Sequence, residues 1–161
     1  MTNESAFDPA SFLDATTTEA ATRRPPLPIE APGSADGLYV ALVGEPKIRA
    51  WQGKADPSKS GFACDIPITI EVPAQLQEKL KLQPQVILTG GGFIDTTPGG
   101  ALDWSPGKNR VLRQYRDATG QNVAGQPFSL RMLAGKVVKV RISQEMYEGD
   151  MLDKIAGIFK S

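Results

Sequence analysis

The chain has 161 residues, no histidine, one cysteine and 18 basic against 18 acidic residues. That length suits one domain plus an appendage, and the lack of histidine removes Ser-His-Asp and Cys-His nucleophilic sites and most zinc sites. Lone Cys64 can complete neither an internal disulfide nor a thiolate cluster, and its apolar surroundings make it a small buried hydrophobe.

Residues 1–36 read as a flexible, acidic and Pro-rich arm, with six acids against Arg23 and Arg24. Prolines 25, 26, 28 and 32 favour an extended run. An island at Phe12-Leu13, followed by acids and alanines to Ala21, is a candidate short helix that forms on docking. From Gly37 the period changes to two. Leu38, Val40 and Leu42 alternate with Tyr39, Ala41 and Val43 in a first strand running on toward Trp51. A polar loop, 53–61, separates it from a second strand. There Phe62, Cys64, Ile66, Ile68, Ile70 and Val72 share one face, and Pro67 on the other argues for an edge or a bulge.

Pro73 opens a short helix, AQLQEKLKL, with Leu76 and Leu80 one turn apart. A third strand starts at Val86 and passes Gly90-Gly91-Gly92 into Phe93 and Ile94. Three glycines there imply a bend or close backbone approach. A helix is predicted over 108–119, with Val111, Leu112, Tyr115 and Ala118 opposite Arg110, Arg113 and Arg116. Ser129 starts a brief turn that Gly135 stops. In the strand over 136–143, Val138, Val140 and Ile142 point inward while Lys139 and Arg141 point out. A turn at Glu148-Gly149-Asp150 leads to a closing strand through Leu152, Ile155 and Phe159. The expected fold class is mainly β: a five-stranded OB-like barrel over 37–161, with a helix between strands three and four.

No apolar stretch approaches the ~20 residues of a spanning helix, and MTNESAFDPA lacks the features of a signal peptide. A cytoplasmic protein without membrane contact is expected. No phosphate-binding loop is spelled out, because Ser105-Pro106-Gly107-Lys108-Asn109 lacks the first glycine and the hydroxyl. Asp95 and Asp103, and the acids around 145–153, match no calcium-loop register. The expectation is a non-enzyme that needs no metal or cofactor.

The charge is unevenly spread. Residues 104–141 hold eight basic side chains against the single acid Asp117, an asymmetry that points to an anionic partner. Single-strand binders join a basic groove to aromatic stacking faces. Candidates for such contacts are Lys47, Arg49, Trp51, Lys54 and Lys59 in the first strand and loop, and Trp104, Lys108, Arg110, Arg113 and Arg116 after the third strand. Lys139 and Arg141 complete the set on the penultimate strand. The arginines also fit a solvated helix face, and the tryptophans a core or lid.

The run over 132–143, Tyr147-Glu148-Gly149-Asp150, Phe12-Leu13-Asp14, Ser105-Pro106-Gly107-Lys108-Asn109 and Pro127-Phe128-Ser129 resemble segments of small tailed-phage replication-module proteins. The resemblance implies an OB fold and sequence-nonspecific binding of single-stranded DNA during phage DNA replication or recombination in the bacterial host cytoplasm. Many such proteins end in an acidic tail with a terminal aromatic. Here the end is Gly157-Ile158-Phe159-Lys160-Ser161, and the acidic segment lies at the other end. Phe7, Phe12 and Leu13 are therefore the expected partner-binding residues, in an arm that competes with DNA and recruits replication or recombination proteins. The competing expectation is a virion structural or adaptor protein whose arm docks on a neighbour.

Overall fold

The computed structural model describes residues 7–18 and 23–161; the arm positions Glu4 and Glu19 and the end of the expected island, 19–21, lie outside them. Among the described residues six antiparallel strands form one open sheet, accompanied by three short α-helices. In chain order these are α1 (Pro9–Asp14), β1 (Tyr39–Val43), β2 (Lys47–Gln52), β3 (Ser60–Glu71) and α2 (Ala74–Leu80). Then come β4 (Gln85–Phe93), α3 (Arg110–Ala118), a 3-10 turn (Leu130–Leu133), β5 (Val137–Tyr147) and β6 (Asp150–Lys160). β3 pairs with β1, β2 and β4, while β1 also pairs with β5, and β5 with β6.

The expected first strand is two strands. It breaks at Gly44-Glu45-Pro46, beside Pro67 of β3, where the Gly44 N–H donates to the Pro67 carbonyl at 2.7 Å. A Cβ on Gly44 would sit 3.0 Å from that oxygen, so glycine permits the approach. Pro67 therefore lies in a central strand, not at an edge. Its missing N–H faces the point where the neighbouring strand is interrupted.

The period-two faces are those read from the sequence. Cys64, Ile66, Ile68, Ile70, Val138, Val140 and Ile142 are buried, joined by Tyr39, Ala41 and Val43. Burial at this core pushes the Cys64 thiol up to about 11. Phe62 is exposed instead, because it lies where β3 outruns the core and pairs with Ala50 of β2. β5 and β6 form a hairpin closed by Glu148 (φ 49) and Gly149 (φ 84), the backbone of a tight two-residue turn. Ala156 is the extra residue of a bulge between Arg141 and Ile142 pairings, which bends β6.

α3 starts at Arg110, two residues later than predicted. Asn109 sits in the left-handed region (φ 47), and its side chain bonds Asp95 and Asp103 backbone at 2.8 Å, while Asp95 Oδ2 takes the Asn109 N–H. That buried knot ties the helix head to the end of β4. Leu112, Tyr115 and Ala118 then pack on the core. Gly90 and Gly92 of β4 make room for this, while Gly91 lies against the Cys64 carbonyl of β3. A Cβ on Gly90 would overlap the Tyr115 hydroxyl, and one on Gly92 would sit 3.0 Å from Val111.

The sheet does not close into the expected five-stranded barrel, for β4 and β6 share no ladder. Part of the reason is chemical: the Gly91 N–H donates to the Tyr115 hydroxyl at 2.9 Å instead of to a strand. The expected arm is also not uniform. Leu27 and Ala31 are buried in the core, so residues 23–36 run against the sheet. Among the described residues no helix is long and apolar enough to cross a membrane.

Candidate nucleic-acid interface

The unpaired seam between β4 and β6 is a groove of about 420 Å³, with Val111, Gln114 and Tyr115 of α3 along it. Its position follows from register. Arg49 pairs with Ala63, and Ala63 with Phe93, so these side chains share the outward face. Trp51, two residues on, pairs with Gly61 and lies flat over it; a Cβ there would be 3.0 Å from the indole nitrogen. The Trp51 and Phe93 rings meet edge to face, 5.3 Å apart. Trp51 is half-buried, whereas Phe93 is 68% exposed at the rim of the groove.

The charges along the groove are mixed. Arg49 donates to both oxygens of Asp65, at 2.8 and 3.3 Å, and this guanidinium holds the Asp65 carboxyl below its usual range. Lys154 lines the other wall, 3.7 Å from exposed Glu145. Gly157, also in the wall, pairs with Arg141, and Phe159 packs beside it. The Arg141 guanidinium stands 4.9 Å over the Phe159 ring. The groove thus has the Trp51–Phe93 ring pair at one side and the Arg141–Phe159 cation–ring pair beside its other wall, with bare glycine backbone between.

The predicted nucleic-acid-binding residues divide four ways. Arg49 lines the groove, Trp51 and Arg141 flank it through Phe93 and Gly157, and exposed Lys47 lies on the same strand face as Arg49. Lys54 and Lys59 stand exposed in the 53–59 loop, which is pinned by Gly53 N–H to the Lys59 carbonyl at 2.8 Å. Trp104, Arg113 and Arg116 gather in a separate pocket on the opposite flank of α3, with Lys108 and Arg110 exposed at the helix head. Lys139 stands apart, its ammonium bound to Asp36 at 2.9 Å. Arg116 is packed between the Trp104 and Phe128 rings rather than solvated. Phe7, Phe12 and Leu13 are all exposed, on or beside α1.

Phe93 and Lys154 line the groove, and Phe159 packs beside its wall at Gly157; sequence reading missed all three. The signal for Phe93 was its parity: with Val86 and Leu88 inward, a phenylalanine at 93 falls on the solvent face. Val111, read as core, is 43% exposed and lines the groove. Comparison with protein-family models gives no match, nor does comparison with curated proteins.

Proposed function

We propose that the protein binds single-stranded DNA without sequence preference, laying the strand along the β4–β6 groove. One observation carries this reading: Phe93, an exposed ring braced by Trp51, faces across bare glycine backbone to a wall holding Lys154. A base stacked on such a ring gains about 1–3 kcal/mol, and cations alongside take the phosphates. Glycines leave no side chain to keep a base from the strand surface.

The strand connectivity supports the same reading. With β1 and β2 counted as one broken strand, the first pairs with the second and fourth, the second with the third, and the fourth with the fifth. With α3 between the third and fourth, this is the connectivity of an OB barrel left open at one seam. The role we assign is cover for single strands during phage DNA replication or recombination in the host cytoplasm.

The test is fluorescence anisotropy of labelled oligo-dT at low and moderate salt, and against the matching duplex. Three phosphate contacts, from Arg49, Arg141 and Lys154, give a roughly ten- to twentyfold loss of affinity between ~50 and ~200 mM salt. Phe93→Ala weakens binding about five- to hundredfold, the equivalent of one stack. No binding at micromolar protein, or equal binding of duplex, overturns the reading.

The adaptor reading has one observation in its favour. Ile87, Thr69, Leu42 and Val137 are successive register partners across four strands, and they form an uncharged row on the outer face. Outer faces of antiparallel sheets are ordinarily polar, and exposed apolar patches mark protein contacts. Binding to a partner through this row is insensitive to salt, which separates it from phosphate binding.

A further inference from the structure

The pocket on the far flank of α3 has a composition of its own. Trp104, Pro106, Arg113, Arg116 and Asn122 line a volume of about 330 Å³, and none of the five is acidic. Arg116 is fixed there. Its guanidinium carbon lies 5.0 Å from the Trp104 ring centre and 4.7 Å from that of Phe128, and its Nε donates to the Gln121 carbonyl at 3.1 Å. Phe128 meets Trp104 edge to face at 5.8 Å. Three contacts on one arginine make it a brace that sets the angle of the indole. Arg113 is held much less, by one long 3.5 Å bond to the Lys108 carbonyl, and its charge is left to the pocket.

We propose that this pocket is a second base-stacking station for the same bound strand, with Arg113 as its phosphate contact and Arg116 as a positioning residue. The inference rests on the single-strand reading of the β4–β6 groove. Helical spacing supplies the route. Val111 and Gln114 face the groove, Arg113 and Arg116 face the pocket, and Arg110 stands exposed between the two flanks. A strand passing from one station to the other crosses one helix width, about 10–12 Å with side chains. It travels over Arg110 and Arg113, where cations accompany it. A base on Trp104 or on the planar Arg116 face gains stacking of the ordinary kind.

The two tryptophans make the stations separately readable. Trp104→Phe leaves Trp51 as the sole indole and reports on the groove; Trp51→Phe leaves Trp104 and reports on the pocket, keeping an aromatic ring at the groove. Each is titrated to anisotropy saturation with oligo-dT of about 4 and about 16 nucleotides, lengths that bracket the usual range of site sizes. Trp51 emission is quenched by both lengths, and Trp104 emission only by the longer. Arg113→Ala lowers affinity for the longer oligomer about threefold or more and reduces its salt slope by about 0.7, while leaving the shorter unaffected. If the long oligomer quenches Trp51 but leaves Trp104 unchanged, the second station is wrong and the groove reading stands. If Trp104 responds equally to the short oligomer, the order of the stations is wrong. If neither indole responds and anisotropy stays flat, the groove reading itself has failed.

Discussion

Residues 7–14 and 23–31 come from one stretch that composition treats as a single arm, yet they end in opposite situations. The first is self-contained. Asp8 caps α1 through the Ala10 N–H at 3.2 Å, Phe7 packs on Phe12 with ring centres 5.1 Å apart, and none of the helix is buried. The second is part of the fold. Leu27 is fully buried, its N–H donates to both oxygens of Asp153 at 3.0 and 3.1 Å, and Gln144 donates to its carbonyl at 2.8 Å. Arg24 pairs with the same carboxylate, whose side chain is 1% exposed, and the Tyr39 hydroxyl donates to the Pro28 carbonyl at 2.6 Å. Extended prolines donate no N–H, so a strap of this kind is held at the few places where a side chain and a receiving socket coincide. What separates the two halves is the socket at the β5–β6 hairpin, not their own composition.

The contrast breaks most sharply at Leu27. Leu27→Ala lowers unfolding free energy by about 2–5 kcal/mol in a urea titration, the cost of emptying a fully buried leucine site. A loss under about 0.5 kcal/mol would mean that the strap lies outside the cooperative unit. Asp153→Ala comes next, at about 1–3 kcal/mol, because the Leu27 N–H is left without its acceptor. Arg24→Ala removes the partner that is itself more exposed, and costs about 1 kcal/mol or less.

The strap also carries a pH signature. Burial first, and the Asp153 charge second, push the Tyr39 phenol up to about 12 from 10.0. In the unfolded chain that phenol ionises at its ordinary value, so stability holds below about pH 10 and is lost as pH rises toward about 12. Tyr39→Phe lowers stability at neutral pH, since the Pro28 carbonyl loses its donor, and flattens the alkaline slope. Cys64, with its thiol raised by burial, contributes to the slope in both proteins and cancels in the comparison. An identical alkaline slope in Tyr39→Phe overturns the assignment.

How far these features are legible in sequence depends on how local they are. The inward set Val138, Val140 and Ile142, the even residues of β3 from Cys64 to Ile70 and the Glu148-Gly149 turn each follow from neighbours in the chain, and period and turn chemistry suffice. The strap does not, because the Leu27 partners lie at 144 and 153 and nothing near Leu27 announces them. The groove is intermediate. Arg49, Trp51 and Arg141 were visible as outward cations and rings, but the placing of Arg49 with Phe93 and Lys154 in one groove, and of Trp51 against Phe93, depends on register and on a seam left unpaired. Arg116 shows the limit from the other side: helical spacing sets it one turn beyond buried Leu112, at the border of the core face, and the Phe128 and Trp104 rings that cover it arrive from other segments.

The smallest expected stability change is at the α1 half of the arm, and it sharpens the comparison because it is close to zero. Deleting residues 1–14 leaves the unfolding free energy unchanged within about 0.5 kcal/mol, since α1 buries nothing. Deleting 1–35 takes Leu27 as well and costs what Leu27→Ala costs or more. The short deletion is therefore the one that isolates a functional effect of the arm. It removes the acids Glu4, Asp8 and Asp14 and no basic residue. If these acids compete with phosphates for the groove cations, oligo-dT binding tightens at low salt, and the gain fades by ~0.15 M as screening shortens to about 8 Å. Unchanged affinity at low salt removes competition from the arm's duties and leaves Phe7, Phe12 and Leu13 as a purely apolar docking face. That outcome gives the two halves separate tasks, one holding the fold together and the other reaching a partner.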